Sequence, residues 1–171
     1  MSLQLFKIAD VTVSSPQTTV EFTSIPQGYT DLIVKASVRL SPAAVSQSLG
    51  MYVNSIAADC SYKTVRGDGA TVSTLASSGQ SDIYVGDVPA ASATSNTFSN
   101  TEIYIPNYTG SNQKVSSTDA VSEHNSTTAY TFIGAGLTTK TAAVTLLGFR
   151  IFGGGASTIL TNSTFTLYGV L

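Results

Sequence analysis

A chain of 171 residues with a net charge of −2 is the size of one domain, and at that length about 70% of the unfolded surface is buried without a metal or disulfide staple. Charged residues make up only 11% of it, while Ser and Thr together exceed a quarter, so solubility rests on hydroxyl groups. Eight Lys and Arg scattered singly among ten acids form no basic stripe for a phosphate backbone, and Trp is absent, which argues against a nucleic-acid partner.

The N-terminal MSLQLFKIAD has no basic start followed by a long apolar run. The most apolar stretch, 142–152, is interrupted by Thr145, Gly148 and Arg150. Neither a signal peptide nor a membrane span is expected, and the product begins in a cytoplasm. Leu3, Leu5 and Phe6 are apolar where a free terminus is usually polar, which makes residues 1–6 a candidate attachment arm. Pairing of this segment as a first strand in its own sheet is the competing expectation. Phe6 and Ile8 fall on even positions and Val11 and Val13 on odd ones, so the pattern changes face near Ala9 and Asp10, through a bulge or a bend between sheets.

Ser14, Ser15 and Pro16 break the strand, Val20 and Phe22 resume it, and Ile25-Pro26-Gln27-Gly28 turns the chain. The segment from Tyr29 to Leu40 then carries the cleanest two-residue period of the sequence. Leu32, Val34, Ala36, Val38 and Leu40 fall on one side, and Asp31, Lys35, Ser37 and Arg39 on a solvated other side. Ser41-Pro42 offers an N-cap and first-turn proline for one or two helical turns over 43–47, the one helix expected. Leu49, Met51 and Val53 alternate, as do Cys60, Tyr62 and Thr64, before Arg66-Gly67-Asp68-Gly69 makes a tight turn. That turn contains an Arg-Gly-Asp string, but Asp-Gly is a common hairpin dipeptide and the turn reading is preferred to an adhesion motif.

Ile83 and Val85 mark the next strand, and 89–97 reads as a surface loop without apolar anchors. Strands follow at 98–105, around 115–121 and at Tyr130, Phe132 and Ile133, with a turn over 107–112. The run 142–152 reads as buried on both faces and ends at Gly153-Gly154-Gly155. In the last strand Phe165 and Leu167 lie on one face, with Thr164, Thr166 and Tyr168 on the other.

About ten short strands without strand–helix alternation predict an all-β fold, one antiparallel β-sandwich domain over 1–171. A jelly roll fits best, and an immunoglobulin-like sandwich is second, weakened by the missing Cys and Trp pair. Leu32, Val34, Ala36, Val38, Phe149, Ile151, Phe165 and Leu167 are the expected core.

No catalytic constellation emerges. His124, the only histidine, sits among turn-forming residues, and no Gly-x-Ser-x-Gly elbow occurs. One His and one Cys do not supply a zinc site, so Cys60 is expected as a buried thiol, and no metal or other cofactor is expected. Asp82 and Asp87 flank a strand and Glu102 stands opposite Ile103, which leaves a carboxylate-built glycosidase as the one enzymatic alternative. The triple glycine lacks the residues of a phosphate cradle, and the Asn-x-Ser/Thr sequons at Asn107, Asn125 and Asn162 read as turns.

Thr101 to Ser111 (TEIYIPNYTGS) resembles a segment of small, Ser/Thr-rich virion structural proteins of tailed bacteriophages. The stretch Val20 to Val34 (VEFTSIPQGYTDLIV) and the ending Phe165 to Val170 (FTLYGV) resemble the same proteins. The resemblance implies a non-enzymatic structural protein of the virion, with a jelly-roll or related sandwich, partnered by capsid or tail proteins and acting as a homotrimer. Capsid decoration is the first expectation, since the chain contains no coiled-coil or collagen-like stalk. A tail fibre or receptor-binding module for host surface glycan is the second.

Overall fold

The computed structural model describes residues 4–69, 71–123, 125 and 129–171. The chain is all-β: among the described residues twelve strands form two antiparallel sheets packed as a sandwich. The strands are β1 (Leu5–Thr12), β2 (Thr19–Phe22), β3 (Asp31–Ser37), β4 (Ser46–Val53), β5 (Cys60–Gly67), β6 (Val72–Gln80), β7 (Ile83–Pro89), β8 (Asn100–Ile105), β9 (Lys114–Ser122), β10 (Tyr130–Thr138), β11 (Leu147–Ile151) and β12 (Thr164–Val170). The large sheet runs β1-β12-β3-β8-β9-β10-β5-β6 and the small one β2-β11-β4-β7. Four strands of the large sheet, β1-β12-β3-β8, are matched in number by the small sheet, whose edge strand β7 packs under β9 and β10 and reaches β5, so that β6 alone lies beyond it.

The dry face read from the sequence is the inner face of β3. Leu32 and Val34 are fully buried and meet Phe165 and Leu167 of the neighbouring β12, while Phe149 of β11 closes the core from the opposite sheet. All eight expected core residues are buried. Phe149 lies tilted at 5.1 Å from Phe165 and meets Phe22 edge-on at 6.4 Å, the latter a favoured geometry of aromatic pairs. A second, aromatic cluster of Tyr62, Tyr84, Phe132 and Phe152 fills the space between β7 and the strands β10 and β5.

Some expectations hold in detail and others are corrected. The face change near Asp10 is a bulge in β1 between Lys7 and Ala9, and β1 stays in the large sheet throughout. No helix forms at 43–47, because the carbonyls of Pro42, Ala44 and Val45 accept hydrogen bonds from the amides of Ala91, Ser92 and Ala90. The loop 89–97 has apolar anchors after all, since Ala90 and Ala93 are buried. Arg39 does not point to solvent: its guanidinium is buried and donates to the carbonyls of Thr94, Thr97 and Ala93 at 2.7, 3.1 and 2.9 Å, which pins that loop. In the run 142–152 only Leu147–Ile151 is strand. Asn107, Asn125 and Asn162 all have left-handed φ (48°, 57° and 70°), the backbone of turns that Asn tolerates.

Candidate functional site

Most charged side chains hold the fold together. Asp82, fully buried, accepts hydrogen bonds from Arg150 Nε and Nη2 at 2.9 and 3.1 Å, from the Gly153 amide at 2.9 Å and from Ser81 Oγ at 3.1 Å. This clamp ties the start of β7 to the glycine turn after β11. Asp87 accepts from Tyr130 Oη at 2.7 Å, Ser48 Oγ at 3.0 Å and Arg66 Nη1 at 3.2 Å, joining both sheets. Burial, reinforced by Asp87, pushes the Tyr84 and Tyr130 phenols above their ordinary range. The two carboxylates singled out as a possible hydrolytic pair are therefore each engaged by an arginine.

Lys114 donates to the carbonyls of Gly110, Asn112 and Thr141, and burial draws its ammonium below its ordinary value. Asp59 pairs with Lys140 at 2.7 Å. Burial works to raise the Asp59 pKa, but hydrogen bonds from Lys140 and Cys60 and the Lys140 charge hold it below the usual range. Cys60 is a buried free thiol, and burial, with Asp59 beside it, pushes its pKa up to about 12. Among the described residues no three His, Cys, Asp or Glu side chains gather as metal ligands. His124 lies outside the described residues.

Of the expected arm residues, Leu3 also lies outside the described residues. Leu5 and Phe6 are part of β1, opposite Val170 and Gly169 of β12, and both remain substantially exposed. Phe6 rests against the Tyr29 ring at 5.9 Å. They pair in their own sheet and still offer an apolar surface.

The main unpartnered surface is one that the sequence reading did not single out. The outer face of the large sheet divides in two. Over β1, β12, β3 and β8 it is charged, with the ion pairs Lys7–Asp10 and Lys35–Glu102 and a Tyr104–Asp31 hydrogen bond of 2.6 Å. Over β9, β10, β5 and β6 it is largely apolar: Val65, Val72, Val115, Val121 and Ile133 stand exposed, Ile133 at 61% and Val72 at 77%. Ile133 faces Val65 on one neighbour and Asp119 on the other, and Ala135 lies between Lys63 and Ser117. A shallow depression of about 670 Å³ lined by Ser61, Lys63, Ala76, Val115, Ala135 and Leu137 lies along this face.

The two free edges of the large sheet differ in the same sense. The β1 edge carries the Lys7–Asp10 pair and a bulge, both devices that discourage strand addition. The nine-residue β6, VSTLASSGQ, has no charge and no proline, and its irregularity comes only at its last residues. The small sheet reaches β5 through β7, so both faces of β6 are exposed. No protein-family model matches the chain, and no curated protein matches it.

Proposed function

We propose that the protein is a non-enzymatic structural component of a tailed-bacteriophage virion, foremost a capsid decoration protein that binds the assembled particle. The observation that carries this reading is the divided outer face: a rigid sandwich, internally clamped by its charged groups, presents an apolar half-sheet ending in an uncharged edge strand. Surfaces of that kind mark protein–protein contact. The phage resemblance supplies the particle as the setting. The strand orders β1-β12-β3-β8 and β2-β11-β4-β7 support a jelly-roll reading, with the β5-β6 and β9-β10 hairpins as insertions into it. Leu5 and Phe6, exposed at the far edge of the same sheet, are the proposed anchoring residues, with Leu3 preceding them.

Gold-labelled antibody against the protein, applied to purified particles and read by electron microscopy, tests the reading. Label over the heads is expected. Label confined to tail tips replaces decoration by the tail-fibre alternative, in which the same protein recognises host glycan, and particles without label refute the virion assignment.

A further inference from the structure

We propose that the outer face of β9, β10, β5 and β6 is a self-association surface, which seats the same face of a second copy across a two-fold axis lying over β10.

Five of the eight cations form ion pairs, and Arg39 and Lys114 are consumed by backbone carbonyls. The acids other than Asp119 are each engaged by a cation, a phenol, a hydroxyl or an amide. Among the described residues, Lys63 and Asp119 are the two charged side chains to which the fold gives neither an ion pair nor a hydrogen bond. Both stand on this apolar face. Lys63 lies on β5 opposite Ala135, and Asp119 on β9 opposite Ile133, so β10 runs between them.

Two strand spacings across and two residues along put the Lys63 and Asp119 Cα atoms about 12 Å apart, too far to pair within one chain through an intervening strand. A two-fold axis in the interface over β10 exchanges the sides of β5 and β9. Lys63 of each copy then meets Asp119 of the other, twice, and the two Ile133 side chains meet at the axis. One patch serves both partners, which is the requirement of a two-fold contact. Opposite charges in these positions complement each other across the interface and not within it.

About this axis β5 of each copy faces β9 of the other and β6 faces β8, so five strands at their usual spacing and about nine residues long offer about 24 Å by 30 Å, or roughly 720 Å² before side-chain relief is counted. A standard interface takes about 800 Å² per partner. Covering this face would also bury Ile133, the most exposed apolar side chain at its centre.

The test is light scattering or sedimentation equilibrium of the full chain and four surface variants, with thermal melts as the folding control. Wild type is expected to be a dimer. Lys63→Asp and Asp119→Lys are each expected to weaken it more than about tenfold, because each places like charges together twice. An equimolar mixture of these two variants is expected to recover the dimer, since one partner then carries two acids and the other two lysines. The swap Lys63→Asp/Asp119→Lys is expected to dimerise by itself, and Ile133→Asp to stay monomeric. A wild-type monomer at all concentrations, the trimer expected from sequence, or a mixture that fails to recover overturns the proposal. The dimer stands apart from the virion reading: a solution dimer absent from particles leaves the interface standing, and a monomer bound to particles refutes the interface alone.

Discussion

Replacing Phe149 with Ala is expected to lower the unfolding free energy by about 3 to 5 kcal/mol, the range for large aromatic side chains removed from a packed core. The site justifies the upper part of that range. Phe149 is fully buried, contacts Phe22 and Phe165, and sits on the central strand β11, where Val20 and Met51 flank it in register. Strand neighbours on both sides and the large sheet above prevent the cavity from collapsing, so the lost contacts are not recovered. Denaturant titration measures the change. A loss below about 1.5 kcal/mol, the value of a tolerated volume change, would mean that the two sheets do not meet at this residue.

Asp82→Asn is the second large effect, and it acts through charge instead of volume. The substitution keeps the shape of the side chain but leaves Arg150, itself mostly buried, without its carboxylate, and the amide nitrogen denies an acceptor either to Arg150 Nε or to the three donors at Oδ2, Arg150 Nη2, Ser81 Oγ and the Gly153 amide. Breaking a buried pair in this way costs about 3 to 5 kcal/mol. Glu102→Gln, which breaks the exposed Lys35–Glu102 pair, is expected to cost less than about 1 kcal/mol. Thermal melts of the two variants decide the matter. Equal small shifts would show that the clamp between β7 and the glycine turn contributes no more than a surface pair.

Strands with one wet and one dry face could be read directly, as Leu32 to Ala36 and Phe165 to Leu167 illustrate, because burial on a single face imposes a two-residue period. The strand β6 escaped for the converse reason. Both of its faces are exposed, so Val72, Leu75 and Ala76 keep no apolar alternation among the serines. The absent helix at 43–47 turned on hydrogen bonds to residues 90–92, a contact across some 45 positions that local capping signals do not contain. Arg39 was misplaced similarly: its position in the alternation was right, but the loop it binds folds back over that face. The candidate interface needed the strand order itself. Lys63 and Asp119 are 56 positions apart and become flanking residues only because the β5-β6 hairpin adds to β10 and not to β4.

The claim that this protein works through the outer face of its extended sheet is tested most directly by amide hydrogen exchange, read residue by residue above and below the concentration at which the chain associates. Added protection is expected on β9, β10, β5 and β6, with the β1-β12-β3 edge unchanged. Protection that grows instead on the charged half around Lys7 and Lys35, or on neither half, contradicts the account.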